Sequence, residues 1–368
     1  MHPIKIVDLQ RQHQNIRESI EAAIQGVLKH TDFIMGRAVT EFESDLARYL
    51  GARWAIGCAS GTDALHIALM ALQIGPGDEV ITTPFSFAAT VETILLQGAS
   101  PVFVDICPQT YNIDTSKISE KITSKTKAIL PVHLYGQPAD MEPILSLARK
   151  SGLSVIEDAA QAIGAQYRGD FVGTLGDIGC LSFFPSKNLG ACGDAGALLT
   201  NDAGLAKTCR MISLHGTKKQ YRHEILGVNS RLDSLQAAIL KVKLPYLEQW
   251  SQQRLRIAHE YNQALDPLPL TTPYCSPEVR HVYHQYSIRS PRRDQLARFL
   301  KARGVECAIH YPIPLHLQQA YKDWGQKELR LPNAETIAGE ILSLPIFPEL
   351  TKAEIHTVSA AVRDFCRT

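Results

Sequence analysis

The stretch LSVIEDAAQAIGA, residues 153–165, runs from a short apolar segment directly into an acid. Its apolar residues predict a buried strand that ends at Asp158. An acid at such a place commonly caps the following turn or helix, and this is the favoured interpretation when the stretch is taken alone. Open α/β sheets, however, bind ligands beyond the carboxyl ends of their strands. The rest of the chain must decide between these two roles.

Similar apolar runs alternate with helical patterns over the first two thirds of the chain, which is typical of βα units around a sheet. Further strands are predicted at residues 54–60, 79–84, 101–106, 127–136, 178–184 and 196–201. Amphipathic helices are predicted between several of them, at residues 63–73, 141–152 and 205–216. The pattern therefore predicts a large α/β domain with a mostly parallel central sheet.

The character of the chain changes after a helical stretch at residues 231–265. A proline-rich segment is followed by a predicted strand at residues 284–290, a helix at 294–304 and a second strand at 305–312. Two final helices are predicted after them. This order predicts a smaller α+β domain docked at the carboxyl ends of the large sheet. We expect a large domain at residues 1–250, with an amino-terminal helical segment, and a small domain at residues 251–368.

The composition is that of an ordinary globular protein, with 368 residues, 45% of them hydrophobic and 20% charged. A formal net charge of +1 and the lack of a basic block argue against nucleic acid or an anionic membrane as partner. No signal-peptide pattern and no run long enough to cross a bilayer are found, so we expect a cytoplasmic protein. The eight cysteines form no CxxC pair, and the spacings of the histidines do not indicate a metal site.

Two motifs near the amino terminus could hold a planar, phosphorylated ligand. In SGTDALHIAL, Gly61 and Thr62 stand at a predicted helix start, where backbone N–H groups bind phosphate; a simple helix cap is the alternative. In TTPFSFAAT, Phe87 follows a strand and could stack on a ring, although aromatic residues at such places more often belong to the core. Each motif alone is a weak signal.

A third motif, LSFFPSKNLGACGDAGALLT, contains Ser182 and Lys187 in a loop between two predicted buried strands. Burial lowers the pKa of a lysine and leaves a nucleophilic amine, as a Schiff-base lysine requires. Gln161, three residues after Asp158, can share one face of the same turn.

These residues together meet the needs of pyridoxal 5'-phosphate (PLP), which requires a lysine, a carboxylate at its ring nitrogen, a phosphate anchor and a ring clamp. Lys187 and Asp158 would supply the first two functions. Gly61, Thr62 and Ser182 would hold the phosphate, and Phe87 would stack on the ring. This combination favours a functional role for Asp158 over the capping role. A nucleotide-binding dehydrogenase is disfavoured, because no GxGxxG follows the first strand.

The chain also resembles the DegT/DnrJ/EryC1/StrS family of PLP-dependent nucleotide-sugar aminotransferases over nearly its whole length. The segments that carry the resemblance occur in order and are SGTDALHIAL, GPGDEVITTPFSFAAT, PVFVDI, LPVHLYGQPADM, VIEDAAQAIGA, SFFPSKNLG, GDAGALLT, GVNSRLDSLQAAIL and HYPIPLHLQ. The resemblance implies the α/β architecture of fold-type I PLP-dependent transferases, which is aspartate aminotransferase-like, and a homodimer with shared active sites.

The same resemblance implies a role for each matching residue. Lys187 would carry the cofactor and act as acid and base, Asp158 would pair with the ring nitrogen, and Gln161 would approach the cofactor hydroxyl. Asn229 would reach the phosphate from the partner subunit. Val228 replaces a tyrosine that is frequent in the family, so no contact of that ring is expected here. A related dehydratase branch has histidine at the lysine position, and Lys187 therefore favours amino transfer.

The implied reaction transfers an amino group, in two stages, from L-glutamate to a nucleotide-linked keto sugar. Arg231, His310 and Tyr311 are candidates for substrate contacts; a salt bridge to Asp233 would be the alternative for Arg231, and a hydrogen-bonded strand end for His310. The pattern is most similar to the branch that aminates C3 of 3-keto sugars.

Within that branch, overall similarity favours UDP-2-acetamido-2-deoxy-3-oxo-glucuronate, in surface polysaccharide (O-antigen) biosynthesis. Arg231 could then pair with the uronate carboxylate. A dTDP-linked 3-keto-6-deoxyhexose is the alternative substrate. A PLP-binding regulatory protein of the same fold, without transfer activity, is an alternative of another class.

Overall fold

A seven-stranded sheet is the centre of the molecule in the computed structural model, which describes residues 3–219, 221–266, 268–321 and 329–367. The strands of this part of the chain are β1 (Trp54–Cys58), β2 (Glu79–Thr82), β3 (Ser100–Phe103), β4 (Thr126–Leu130), β5 (Ser154–Asp158), β6 (Gln166–Tyr167), β7 (Asp170–Phe171), β8 (Ile178–Ser182), β9 (Gly196–Thr200), β10 (Thr217–Lys219), β11 (Arg222–His223), β12 (Val279–Arg280), β13 (Tyr286–Arg289) and β14 (Ile341–Leu344). The large sheet has the order β1-β9-β8-β5-β4-β2-β3.

The sheet is mostly parallel, as the sequence predicts. β9 alone runs antiparallel to its neighbours β1 and β8, whereas the pairs from β8 through β3 are parallel. Parallel strands need a crossover connection, and helices supply it. β5 pairs with β8 so that Asp158 lies opposite Cys180, two residues before Ser182. The carboxyl ends of these two strands are therefore adjacent.

The helices that were predicted with bounds are found within a few residues of them, whereas the helix at residues 89–96 was not predicted. They are α1 (Leu9–His30), α2 (Arg37–Leu50), α3 (Gly61–Ala71), α4 (Ala89–Leu96), α5 (Met141–Ser151), α6 (Ala203–Ser213), α7 (Ser234–Lys243), α8 (Leu247–Leu265), α9 (Arg293–Ala302), α10 (Pro332–Glu340) and α11 (Lys352–Cys366). None of these described helices combines the length and the apolar character that a bilayer-spanning segment needs.

Helices cover both faces of the sheet, because alternate strand residues point to opposite sides. On β2, Ile81 belongs to a hydrophobic cluster that includes residues of α1, α2, α5 and α7. Its neighbour Val80 belongs to a second cluster, with residues of α3, α4 and α6. A sheet buried on both sides explains why its strands read as continuous apolar runs.

The carboxyl-terminal region has a core of its own, built around the antiparallel pair β13 and β14. β14, with the sequence ILSL, was not predicted as a strand. The predicted strand at residues 305–312 is wrong, because only isolated bridges form there, at Val305 and Ala308. The backbone carbonyl of His310 instead accepts a hydrogen bond from the hydroxyl of Tyr135, which follows β4. This contact joins the segment at residues 305–312 to the large sheet.

We propose that the two domains divide near residue 250, with residues 1–250 and 251–368 on either side. The separate hydrophobic cluster of the carboxyl-terminal region supports this division. Helix α8 spans the proposed boundary. The amino-terminal segment also reaches across it, because Ile4 lies in the carboxyl-terminal cluster and its N–H donates to the Gly304 carbonyl at 2.7 Å.

Candidate active site

A cavity of about 460 Å³ lies where the carboxyl ends of β5 and β8 meet the first turn of α3. Its walls include many of the residues singled out in the sequence: Gly61, Thr62, Phe87, Asp158, Gln161, Ser182, Lys187, His310 and Tyr311. A larger cavity of about 820 Å³ lies between α1, α2 and α7 and contains none of them. The position of the smaller cavity is where ligands bind in open α/β sheets.

Asp158 is the last residue of β5 and is 5% exposed. Its Oδ1 accepts a hydrogen bond from the Ala160 N–H at 3.2 Å, which is the turn-capping role considered from the sequence. Its Oδ2 accepts one from the Thr90 hydroxyl at 2.8 Å, and that hydroxyl lies 2.8 Å from the Ser86 hydroxyl. Burial raises the pKa of the carboxyl, and these hydrogen bonds oppose the rise. The turn cap and the hydroxyl chain together fix the orientation of the carboxylate.

Lys187 lies in the tight turn that follows β8, where its N–H donates to the Phe184 carbonyl at 2.8 Å. The side chain reaches the cavity wall with Asp158. Burial lowers the pKa of Lys187 to about 8, and the negative charge of Asp158 limits the decrease. At neutral pH about a tenth of the amine is then unprotonated, far more than for an exposed lysine. This is the property that a nucleophilic amine needs.

The amino terminus of α3 forms a polar cradle in the cavity wall. Gly61 and Thr62 are its first residues, and their N–H groups have no acceptor within the helix. A side chain at position 61 is excluded, because its Cβ would lie 2.6 Å from the Cβ of Ser182. The Ser60 hydroxyl caps the helix by accepting from the Asp63 N–H at 3.1 Å. Free N–H groups at a helix start favour a bound phosphate.

Gln161, Tyr311 and Phe87 form one side of the cavity. The Gln161 Oε1 accepts from the Tyr135 N–H at 2.8 Å, and its Nε2 donates to the Tyr311 hydroxyl at 3.1 Å. One N–H of the Gln161 amide therefore remains for a ligand. The ring of Phe87 is 56% exposed and lies 6.2 Å from that of Tyr311, tilted by 45°. An aromatic face this open is available for stacking.

His310 lies on the cavity wall, half-buried, with its Nδ1 2.9 Å from the Ser343 hydroxyl of β14. Burial and, to a smaller extent, the nearby Lys187 lower its pKa to about 4. The ring is therefore neutral at neutral pH. The His310–Tyr311 peptide bond is cis. His310 therefore both forms the hydrogen bond considered from the sequence and lines the cavity.

The structure does not place Asn229 and Arg231 in this cavity. Asn229 is exposed and forms an isolated bridge with Leu214. Arg231 is partly exposed and, among the described residues, forms neither a hydrogen bond nor an ion pair; the salt bridge to Asp233 considered from the sequence is not formed. Neither residue is among those that line this cavity.

Several cavity residues were missed from the sequence. Ser86 and Thr90, which orient Asp158, lie in a motif that was examined only for its aromatic residues. His284 and Gln285 also line the cavity, but their positions depend on how the carboxyl-terminal region packs against the sheet. The polar pair at the start of the strand predicted at residues 284–290 was the only signal for them.

Comparison with known proteins identifies the family of this chain. The model of the DegT/DnrJ/EryC1/StrS aminotransferase family matches residues 14–363. The chain belongs to this family. It is a PLP-dependent sugar aminotransferase with the fold-type I architecture expected from the sequence.

Two relatives and one solved structure are similar to the aminotransferase over almost its whole length. A "Pleiotropic regulatory protein" of Geobacillus stearothermophilus is 49% identical over 99% of both chains. The "UDP-2-acetamido-2-deoxy-3-oxo-D-glucuronate aminotransferase" of Pseudomonas aeruginosa is 47% identical over 98% of this chain and 99% of its own. A crystal structure of DesV from S. venezuelae in complex with a ketimine intermediate is 40% identical, covers 100% of both chains and has a TM-score of 0.98.

The residues of the cavity fit PLP. Lys187 offers an amine of lowered pKa, and Asp158 offers a buried carboxylate held by Thr90. The lack of a side chain at Gly61 lets the start of α3 lie directly against Ser182, and the exposed face of Phe87 suits a ring. These features correspond to the Schiff-base, ring-nitrogen, phosphate and stacking requirements of the cofactor.

Proposed function

We propose that this aminotransferase transfers an amino group from L-glutamate to C3 of UDP-2-acetamido-2-deoxy-3-oxo-glucuronate. The observation that carries the reaction type is the single cavity in which Lys187, of lowered pKa, faces the buried Asp158. The 47% identical relative from Pseudomonas aeruginosa, whose name gives this substrate, supports the choice among nucleotide-linked keto sugars. Surface polysaccharide biosynthesis is the pathway that this substrate would serve.

Lys187 would move the protons of both half-reactions. Its unprotonated amine takes the proton from the α-carbon of glutamate, and in the second half-reaction it returns a proton to C3 of the sugar. PLP, when bound, supplies an electron sink for the pair left at the reacting carbon. A buried amine with a pKa near the working pH is suited to both taking and giving the proton.

Asp158 would keep a negative charge at the ring nitrogen of the cofactor. Thr90 donates to one carboxylate oxygen, so the side chain is oriented before any ligand arrives. A cationic partner at that place would lower the pKa of the carboxyl that burial now raises. Gly61, Thr62 and Ser182 would hold the phosphate, Gln161 the cofactor hydroxyl, and Phe87 the ring.

The substrate contacts would need a homodimer with shared active sites. Asn229 and Arg231 are exposed or partly exposed and lie outside the cavity of their own chain, so we assign them to the cavity of a partner subunit. There Asn229 would contact the phosphate, and the guanidinium of Arg231 would pair with the uronate carboxylate. His310 and Tyr311, already on the cavity wall, would contact the sugar.

All eight cysteines are free thiols in the structure. This suits a reducing compartment, and we propose that the enzyme works in the cytoplasm.

The proposal is tested by running the second half-reaction backwards. The PLP-loaded enzyme is mixed with amino-sugar nucleotides one at a time, and the visible absorption of the cofactor is followed. Rapid loss of absorption with the UDP-linked 3-amino glucuronate, but not with a dTDP-3-amino-6-deoxyhexose, would support the proposal. Loss with the deoxyhexose alone would keep the enzyme class but reject the uronate and the role of Arg231. Loss with glutamate alone would reject C3 as the position of amination.

A regulatory role without amino transfer is the second candidate, because the Geobacillus relative is named as a regulatory protein. Such a role would need the fold but not the reactive amine of Lys187. The Lys187→Ala protein separates the two: under the proposed function it keeps its fold but loses turnover. A regulatory phenotype that survives this substitution in the cell would favour the second candidate.

A further inference from the structure

Two neighbouring polar side chains of the cavity wall, His284 and Gln285, have no assigned role. They are 6% and 9% exposed. The Nδ1 of His284 and the Oε1 of Gln285 are buried and, within the described residues, have no hydrogen-bond partner. A buried polar atom without a partner is costly, and nearly all such atoms in native proteins are paired. Two of them side by side on a cavity wall therefore point to a ligand that completes their hydrogen bonds.

The backbone on either side of this pair is firmly held. Arg254 is buried in α8 and donates from one terminal nitrogen to the Tyr283 carbonyl at 3.1 Å and to the Ile346 carbonyl at 2.9 Å. The Gln285 N–H donates to the Tyr135 carbonyl at 3.3 Å. The unpaired atoms are thus presented by a fixed segment.

The same segment is tied to the catalytic loop. Asn188, the neighbour of Lys187 in the chain, donates from Nδ2 to the Val282 carbonyl at 3.0 Å. The position of His284 is therefore coupled to that of Lys187, and both side chains line one cavity.

The electrostatic surroundings keep His284 neutral. Burial lowers its pKa well below the usual value, and the positive charges of Lys187 and Arg254 lower it further. A neutral imidazole offers one N–H donor and one lone pair. The side-chain amide of Gln285 likewise offers both donors and an acceptor. The pair therefore presents mixed, uncharged hydrogen-bonding groups to the cavity.

We propose that His284 and Gln285 form a subsite for hydroxyl groups of the sugar ring of the acceptor substrate. A hydroxyl both donates and accepts, so it matches a neutral imidazole and either orientation of the Gln285 amide. A carboxylate only accepts, and it leaves the buried Oε1 of Gln285 without a donor. The inference rests on the proposed function, because it assumes that the acceptor is a sugar. Glutamate carries no hydroxyl outside its carboxyl groups, so the subsite serves the sugar half-reaction.

The test measures the two half-reactions separately in Gln285→Met and His284→Leu. Gln285→Met keeps the length of the side chain and removes its polar atoms. Each variant is expected to bind the UDP-linked 3-amino sugar about tenfold or more weakly, while the rate and affinity with glutamate stay unchanged. Binding is read by calorimetry on PLP-loaded proteins that also carry Lys187→Ala, so that it does not depend on turnover.

A second readout is the thermal stability of each variant without ligand. Because Gln285→Met removes an unpaired buried atom, it should leave the melting temperature of the free protein equal or higher. The sugar nucleotide should then raise that temperature less than it does for the unsubstituted protein. His316→Leu is the matched control, since the Nδ1 of His316 is also buried and unpaired but lies outside the cavity lining. It should leave sugar affinity unchanged.

Equal weakening of the glutamate and sugar half-reactions would overturn the subsite, because the segment would then act only by positioning Lys187. Unchanged sugar affinity in both variants would also overturn it. Failure of the proposed function is distinguishable, since it would show in the unsubstituted enzyme as no reaction with any amino-sugar nucleotide.

Discussion

The two ends of the active site are built in different ways. At the cofactor end, Asp158, Lys187 and Gly61 stand at the ends of strands and a helix of one sheet, and one chain brings them together. At the substrate end, Arg231 lies outside the cavity of its own chain. The comparison teaches that residues fixed by the sheet of one chain can be assembled by folding alone, whereas the remaining contacts are expected to depend on assembly of the dimer.

The largest effect is expected at the cofactor end, from Lys187→Ala. The variant lacks the only proposed acid and base, and amino transfer should fall by about 10³-fold or more. Circular dichroism should show an unchanged fold. Lys150→Ala, an exposed residue of α5, is the control and should retain activity. Substantial transfer by Lys187→Ala would reject the proposed mechanism.

Asp158→Asn should give the next largest loss, about 100-fold in turnover, because a neutral amide cannot stabilise positive charge on the ring nitrogen. Thr90 can still donate to the amide oxygen, so the side chain should keep its place. The measurement is the rate of each half-reaction, and both should slow. If only the sugar half-reaction slowed, Asp158 would act on the sugar substrate and not on the ring nitrogen of the cofactor.

Arg231→Ala tests the substrate end and should raise the KM for the uronate sugar about 10- to 100-fold, as expected for loss of a charge-assisted pair. The half-reaction with glutamate should not change. Arg149→Ala, exposed on α5, is the control.

The same variant shows whether the site is shared. When Arg231→Ala and Lys187→Ala chains are expressed together, a mixed dimer holds one cavity with both residues intact. Activity should therefore reappear in the mixture, although each variant alone lacks it at low sugar concentration. If activity does not recover, Arg231 and Lys187 of one chain act in the same cavity, and the site is not shared.

Residues placed by the strands of the large sheet could be predicted from the sequence, whereas residues placed by packing of other regions could not. The positions of Asp158 and Lys187 relative to their strands were predictable, because apolar runs define the strands and their carboxyl ends meet at one edge. His284 could not be predicted, since it reaches the cavity only through packing of the carboxyl-terminal region. The wrong strand at residues 305–312 has a similar cause: the Tyr135 hydroxyl takes the carbonyl of His310, a contact that no local pattern encodes.

Lys187 and Arg231 should also differ in their effect on the free energy of unfolding, and this is the smallest effect we predict. Burial lowers the pKa of Lys187 from 10.5 to about 8, so the folded protein disfavours the charged amine. This cost is fully present below pH 8, shrinks as the pH rises, and is absent above about pH 10.5. In the protein without cofactor, Lys187→Met should therefore raise the free energy of unfolding by about 3 kcal/mol at pH 7 and by much less near pH 10.

Urea denaturation at the two pH values measures this difference. Arg231→Ala should leave the free energy of unfolding unchanged at both, because Arg231 bonds to none of the described residues. A gain from Lys187→Met of the same size at pH 7 and pH 10 would mean that packing of the methionine, and not relief of a buried charge, stabilises the variant. It would then be wrong that the buried amine of Lys187 costs stability whereas the guanidinium of Arg231 does not. A gain confined to pH 7 would show that the fold gives up stability to keep the amine of Lys187 reactive.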